Sequence, residues 1–269
     1  MSKFIIEKIN KNHPIFESDE YSEDKLLFNY IEGARRFDDT ELYSDGANVV
    51  ICRKENHNCI WIWTKESMSS DIDLLTDIVK KLNELNIESP ELFIRSKHSD
   101  DFCDLYAIAS KQLDYQPNQK FSLGVHQYKG AELSTIDFKI IKLDDSQKYL
   151  IEEFYANVKE EFGWDDKKAE HFINEYKIMD VYALLIDDKP VTLSVVDCGE
   201  GKDPDIRSLV TLEKYRGNGY APILASYLAE DQKLKNRNVM VYSNLGNKAA
   251  EKTWKKSGFE YIDNIVLLK

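Results

Sequence analysis

The chain has 269 residues, of which 42% are hydrophobic and 12% aromatic, and its formal net charge is −12. This length and apolar content are enough for one large domain or two ordinary ones, and they exclude a wholly disordered chain. The negative charge disfavours nucleic acids and anionic membranes as partners, and every apolar run is only strand-length, so we expect a soluble protein. The four cysteines form no CxxC pair, and we expect them to be free thiols in a reducing cytoplasm.

The first half of the chain alternates strand-like runs with amphipathic segments. Strands are predicted where β-branched and aromatic residues cluster, and helices where apolar residues recur at i, i+3 and i+4. Residues 1–45 are otherwise polar and irregular, and residues 129–137 are polar and turn-prone, which is typical of a linker. The predicted elements are, in order, a helix at 23–37, strands at 48–52 and 59–64, a helix that begins at Asp71, a strand at 91–95, a helix at 101–113 and a strand at 121–127.

The second half repeats this order of elements without repeating the residues. Its predicted elements are a strand at 138–143, helices at 147–159 and 166–177, strands at 181–186 and 191–196 joined by a hairpin turn, a strand at 206–212, a helix to about 235, a strand at 239–243, a helix at 247–257 and a strand at 261–268. The sequence therefore predicts a mixed α/β protein with two similar domains, 1–130 and 137–269.

The sharpest local motif is Arg216-Gly217-Asn218-Gly219-Tyr220-Ala221, which lies between a predicted strand and a predicted helix. Glycine lacks Cβ and adopts positive φ at little cost, so an anion can approach this backbone closely. The free N–H groups of a helix start and the helix dipole then favour a phosphate, and Arg216 can add a charge-assisted contact, so we expect a pyrophosphate here. The alternative is an inert turn followed by an ordinary helix.

This motif resembles the R/Q-x-x-G-x-G/A signature of the GNAT N-acetyltransferase superfamily. Further along, the stretch from Asn247 to Phe259 resembles the N-x-x-A…GF helix and turn of the same superfamily. The resemblance covers about 137–269 and implies a tandem GNAT-like acyl-CoA N-acyltransferase fold. The first half has no glycine-rich loop, and it looks like a degenerate GNAT-like domain without a cofactor loop.

The resemblance implies acetyl-coenzyme A as cosubstrate, with no metal. The amides of the loop would hold the pyrophosphate, the backbone of the preceding strand would bind the acetyl carbonyl and the pantetheine arm, and Asn247 would hydrogen-bond near the pantetheine. The implied cofactor-binding residues are Val210, Thr211, Leu212, Arg216, Gly217, Asn218, Gly219, Tyr220, Ala221 and Asn247.

The catalytic residues are less sharply defined by the sequence. Asp205 stands where many members of the superfamily have a Glu base, and it would act through water; the alternative is a solvated loop acid. Trp254 stands where the superfamily often has a Tyr that protonates the leaving thiolate. Indole does not titrate usefully, so Tyr242 or Tyr220 is a candidate acid, unless both are packing residues or the thiolate leaves unassisted.

The acceptor pocket is expected near Glu161 and Trp164, because the segment between the first two helices of the second half usually lines it in the superfamily. Acids beside aromatics suit a cationic amine by charge and by cation–π contact. The alternative is a solvated acidic helix end with the aromatic side chain in the core.

We therefore expect an N-acetyltransferase that moves an acetyl group to a primary amine of a small molecule, as a monomer or homodimer. Two alternatives remain open. One is a non-catalytic acyl-CoA sensor that regulates a partner, and the other is a protein whose glycine turn binds no cofactor.

Overall fold

The computed structural model describes residues 7–10, 12–17, 40–46, 48–53, 59–63, 72–84, 91–96, 122–131, 138–147, 149–162, 165–167, 170, 173, 179–197 and 203–268. The predicted helices at 23–37 and 101–113 lie outside these residues, as does most of the one at 166–177. The chain forms two compact units: the first contains Met1–Val125, Ser243–Asn247 and Tyr261–Lys269, and the second contains His126–Tyr242 and Lys248–Glu260. The domain limits suggested by the sequence stay a prediction.

The first five strands and the first helix belong to the first unit. They are β1 (Glu7–Ile9), β2 (Thr40–Ser44), β3 (Val49–Arg53), β4 (Cys59–Trp63), α1 (Ile72–Glu84) and β5 (Glu91–Ser96). Strands β1 to β4 pair antiparallel in succession, and β4 pairs parallel with β5 across the intervening α1. Helix α1 buries Ile78, Val79 and Leu82, as its apolar spacing predicts.

Strands β1 and β2 lie within residues 1–45, where the sequence predicted only the helix at 23–37. Strand β2 is held by its register with β3, which places Leu42 opposite Ile51 and Tyr43 opposite Val50. Lys8 of β1 forms an ion pair with Glu41 at 2.7 Å. The sequence did not indicate these two strands because each is too short to show a period, and its stability comes from cross-strand pairing.

The remaining elements follow in chain order. They are β6 (Leu123–Tyr128), β7 (Lys139–Lys142), α2 (Tyr149–Phe162), β8 (Asp180–Ile186), β9 (Lys189–Asp197), β10 (Asp205–Thr211), α3 (Tyr220–Leu234), β11 (Met240–Asn244), α4 (Lys248–Lys256) and β12 (Phe259–Leu268). Strand order is β1-β2-β3-β4-β5 in the first unit, where residues 264–268 of β12 pair with β5, and β10-β9-β8-β7 in the second. The limits of the units fall within β6, β11 and β12. The chain is thus a mixed α/β protein, as predicted.

The hairpin between β8 and β9 confirms a local prediction. Asp187 and Asp188 have φ of 49° and 59°, so both central residues of the turn are left-handed. That backbone matches the twist of the two strands, which pair antiparallel on either side.

The second unit has a core on each face of its sheet. Along β8, Tyr182 and Leu184 pack in a cluster that includes residues of α3 and α4. Val181, Ala183 and Leu185 pack in a separate cluster that includes residues of α2. Because side chains alternate along a strand, these helices cover opposite faces of the sheet. Among the described residues, no helix is both long enough and apolar enough to span a membrane.

Candidate functional site

Strands β10 and β11 of the second unit separate soon after they begin. They run parallel and pair at Asp205 with Met240 and at Ile206 with Val241. The described residues show no further pair between them, although β10 continues to Thr211. The far half of β10 therefore has a backbone edge without a strand partner, where a ligand can take the place of a strand.

A β-bulge lies at the same point of β10. Arg207 pairs with Val195 and Val210 with Leu193, so Ser208 and Leu209 together oppose one residue of β9. Ser208 has a φ of 49°, an unusual conformation for a residue other than glycine. The bulge bends the strand, and such irregularities are common beside active sites.

The glycine motif forms a turn between β10 and α3. After a short 3₁₀ turn at Glu213–Tyr215, Gly217 and Gly219 have φ of 82° and 83°. The side chain of Arg216 donates from Nε to the carbonyl oxygen of Thr211 at 3.0 Å, which fastens the turn to the end of β10. The Asn218 side chain donates to the carbonyl oxygen of Tyr215 at 3.1 Å.

The turn presents a run of backbone donors. The N–H groups of Tyr215 and Arg216 bond to Leu212 and Glu213 within the 3₁₀ turn. Those of residues 217–221 have no acceptor among the described residues. Five consecutive N–H groups at a helix start form an anion-binding concavity, and the helix dipole adds partial positive charge.

The other residues predicted for the cofactor lie along the same stretch or outside the second unit. Val210 and Thr211 are half-buried, and Leu212 is buried with its N–H donated to Val191 at 3.0 Å, so that amide is already occupied. Tyr220 packs its ring against Phe138, with centroids 5.8 Å apart. Asn247 belongs to the first unit, where its N–H donates to Asn244 at 3.0 Å.

Two carboxylates and a guanidinium meet at the start of β10. Asp205 pairs in register with Asp197 of β9. Arg207 contacts both carboxylates: its Nε donates to Asp205 at 2.7 Å, and its Nη2 lies 3.2 Å from Asp197. Asp205 is only 3% exposed, whereas the side chain of Arg207 is 44% exposed. The cluster carries a net charge of about −1, which favours a cation beside it.

Electrostatics hold the guanidinium of this cluster in its charged form. Burial disfavours the charged guanidinium, but the carboxylates of Asp205 and Asp197 outweigh it and raise the pKa of Arg207 above its ordinary value. Tyr242 of β11 is half-buried and acts electrostatically on the same guanidinium. The structure therefore brings Asp205 and Tyr242 together through Arg207.

Sequence reasoning missed Asp197 and Arg207. The spacing Asp205-x-Arg207 on a strand places both side chains on one face, and that signal was readable in the sequence. Asp197 joins them only through the register of β9 with β10, which local sequence does not reveal. The side chain of Glu161 and all of Trp164 lie outside the described residues.

Trp254 lies in the core and not at this site. It is 5% exposed and packs against Phe259, with ring centroids 5.8 Å apart. Its Nε1 has no hydrogen-bond partner among the described residues. Those residues also contain no group of three or more His, Cys, Asp or Glu side chains that could hold a metal ion.

The chain resembles known proteins both in sequence and in structure. Residues 197–267 match a protein-family model described as "FR47-like protein". The structure of an acetyltransferase from the GNAT family of Colwellia psychrerythraea aligns with a TM-score of 0.56 at 13% identity, over 98% of this chain and 99% of that one. The fold is that of the GNAT acetyltransferases.

Other GNAT structures are similar over nearly the whole chain. A GCN5-related N-acetyltransferase from Sphaerobacter thermophilus aligns with a TM-score of 0.59 at 13% identity, over 98% of this chain and 94% of that one. A tandem GNAT protein from the clavulanic acid biosynthesis pathway aligns with a TM-score of 0.53 at 11% identity, over 98% and 97%. No curated protein matches the chain. The predicted tandem GNAT-like fold is confirmed.

Proposed function

We propose that this protein transfers an acetyl group from acetyl-coenzyme A to a primary amine of a small molecule in the cytoplasm. The GNAT fold supports acyl transfer in general. The observation that carries the proposal is the run of N–H groups at 217–221, which have no acceptor among the described residues. They follow β10, whose far half shows no pair with β11 in the part of the chain that the structure describes. A ligand with a pyrophosphate and a long polar arm matches both features.

The cofactor would lie along β10 and the turn. The N–H groups of 217–221 would bind the pyrophosphate, and Arg216 would add a positive charge beside it. The unpaired edge of β10 around Val210 and Thr211 would bind the pantetheine arm and polarise the acetyl carbonyl. Asn247 stays a proposed partner of the pantetheine.

The acceptor amine would approach the cluster at the start of β10. The net negative charge of Asp197, Asp205 and Arg207 attracts an ammonium group, and Asp205 would pass its proton to solvent through water. The neutral amine attacks the thioester carbonyl, the C–N bond forms and the C–S bond breaks. The nitrogen would then lose its second proton to water. The leaving thiolate would take up a proton from Tyr242, the proposed donor, and Tyr242 would regain a proton from solvent. Glu161 and Trp164 stay proposed acceptor contacts.

A non-catalytic sensor of acyl-coenzyme A is the second candidate. The observation that favours it is the burial of Trp254, which leaves no titratable side chain at that position of α4. A sensor would bind acetyl-coenzyme A without amine-dependent thiol release, so one assay separates the two candidates.

The first test is calorimetric titration of acetyl-coenzyme A and of coenzyme A, followed by an amine screen with thiol-release detection. The decisive variant is Gly219→Glu, which places bulk and negative charge where the pyrophosphate would bind. We expect its affinity for coenzyme A to fall at least a hundredfold, because a like charge and a side chain at positive φ both disfavour the complex.

Gly46→Glu is the matched control. Gly46 has a φ of 93° and, like Gly219, nothing within 4 Å of an added Cβ, so the two variants carry similar backbone strain. The control should bind coenzyme A like the wild type. Unchanged affinity in Gly219→Glu, or an equal loss in both variants, would contradict the assignment of the turn.

A further inference from the structure

Helix α4 presents a face made of four lysines. Lys248, Lys252, Lys255 and Lys256 are all exposed, and at 100° per residue they fall within an arc of about 100°. The opposite side of the helix carries Trp254, which is buried in the core. We call these four residues the lysine face.

The lysine face has no counter-charge among the described residues, where none of its four ammonium groups contacts a carboxylate. Lysines elsewhere in the described chain commonly have one. Examples are Lys8 with Glu41, Lys142 with Asp180, and Lys235 with Asp231. An unpaired group of this kind is conspicuous in a chain with a net charge of −12.

Part of the arrangement works against the stability of α4, although Lys255 and Lys256 lie in the last turn, where the helix dipole favours a positive charge. Lys248 and Lys252 are four residues apart, as are Lys252 and Lys256, and like charges at that spacing repel. Lys248 also lies at the first position of the helix, where the helix dipole disfavours a positive charge. A bound anion would offset the repulsion between these lysines and the unfavourable position of Lys248.

The lysine face begins at the same sheet edge as the glycine turn. Strands β10 and β11 run parallel, so the helices that follow them, α3 and α4, both begin at the carboxyl edge of this part of the sheet. The first turns of both helices pack on one core cluster through Tyr220 and Ala250. Farther along, the hydroxyl of Ser226 donates to the carbonyl oxygen of Ser257 at 3.2 Å.

We propose that the lysine face binds the 3′-phosphate at the adenosine end of coenzyme A and so selects donors that carry it. This inference rests on the proposed function, because it takes the pyrophosphate to lie at 217–221. A phosphate monoester carries close to two negative charges at neutral pH. It complements the lysine face, and the rest of the acidic chain offers it little attraction.

The size of the lysine face favours a nucleotide over a polymer. A helix of nine residues is only about 14 Å long. A nucleic acid or an acidic protein surface would extend past that length onto the rest of a strongly acidic molecule. A single phosphate, tethered to a pyrophosphate that is already bound, needs no further positive surface.

The test compares coenzyme A with 3′-dephospho-coenzyme A by calorimetry. Four proteins are needed: the wild type, Lys252→Gln, the double variant Lys248→Gln/Lys252→Gln, and the control Lys142→Gln. Gln has a helix propensity close to that of Lys, so α4 should stay folded. Lys142 is a lysine of β7 in the same unit that already pairs with Asp180.

We expect the wild type and Lys142→Gln to bind coenzyme A at least tenfold more tightly than the dephospho form. The double variant should lose most of this preference through weaker binding of coenzyme A alone, with Lys252→Gln between the two. The wild type could bind both ligands equally, or the preference for coenzyme A could survive the double substitution. Either result would overturn the proposal that the lysine face binds the 3′-phosphate and would leave the proposed function intact. Absence of binding to either ligand would instead overturn the proposed function and this inference with it.

Discussion

Gly258 shows why a small residue is needed where α4 ends. It has a φ of 84°, and an added Cβ would lie 2.2 Å from the carbonyl oxygen of Gly130. The two segments approach this closely because Lys129 donates its backbone N–H to the carbonyl oxygen of Gly258 at 2.9 Å. The glycine of the GF motif is thus set by a long-range backbone contact as well as by the helix end.

We expect Gly258→Ala to lower the free energy of unfolding by about 3 kcal/mol or more, because the positive φ and the contact with Gly130 both resist a methyl group. Gly217→Ala is the matched control. Gly217 has a φ of 82° but nothing within 4 Å of an added Cβ. The free energy of unfolding of Gly217→Ala should therefore fall by only about 1 kcal/mol. Urea unfolding measures both, and equal losses would show that the contact with Gly130 is unimportant.

His126 of β6 makes stability depend on pH. It is buried, and desolvation lowers its pKa from 6.5 to about 4. The unfolded chain therefore takes up a proton at a pH where the folded chain does not. Its contribution to stability is complete above pH 6.5 and falls as the pH drops toward 4.

Between pH 6.5 and pH 5, we expect the free energy of unfolding of the wild type to fall by on the order of 2 kcal/mol more than that of His126→Gln. Each pKa unit corresponds to about 1.4 kcal/mol. Urea unfolding of both proteins across that range measures the difference, and carboxylates common to both cancel. Parallel pH profiles for the two proteins would refute a buried neutral imidazole.

At the scale of elements, Trp254 tests whether α4 serves packing or catalysis. Trp254→Ala should lower the free energy of unfolding by about 3–5 kcal/mol, because it removes a large ring from the core. Trp254→Phe should cost far less, since it keeps much of the ring and removes an N–H that has no partner among the described residues.

Turnover and coenzyme A affinity of folded Trp254→Phe should equal those of the wild type. Thiol release measures the turnover, calorimetry measures the coenzyme A affinity, and urea unfolding measures the stability of the same preparation. If the phenylalanine variant kept its stability and lost its rate, Trp254 would have a role in the reaction that its buried position does not explain.

The elements with strong local signals were predictable from the sequence. The Asp187-Asp188 hairpin, α3 and the glycine turn each follow from residues within a few positions of one another. Strands β1 and β2 were not predictable, because they depend on pairing with distant partners. The same distinction applies to the site: the turn is local, whereas Asp197 meets Asp205 only through register.

At the scale of the whole molecule, neither compact unit is one continuous stretch of chain. Residues Ser243–Asn247 and Tyr261–Lys269 belong to the first unit, although they follow most of the second in sequence. In β12, Asn264 to Leu268 pair antiparallel with β5, from Leu92 to Ser96. The first unit therefore needs both ends of the chain.

The last prediction concerns the removal of residues 131–136, which divides the chain into fragments 1–130 and 137–269. We expect fragments 1–130 and 137–269 to be largely unfolded when purified separately, because the first loses β12 as the partner of β5. The second loses the described contacts of residues 126–131, including the hydrogen bond from Tyr128 to Val239 at 2.9 Å. Co-expressed fragments should associate and regain a cooperative urea transition, because together they restore every strand pair within each unit.

Circular dichroism and urea unfolding of the separate and co-expressed fragments decide the question. A third fragment, 122–269, is the control for the loss of residues 126–131. It contains β6 but, like fragment 137–269, it lacks β5. It should be more structured than 137–269 and less stable than the co-expressed pair. If 137–269 alone unfolded cooperatively at the same urea concentration as the full chain, the dependence of the second unit on residues 126–131 would be wrong.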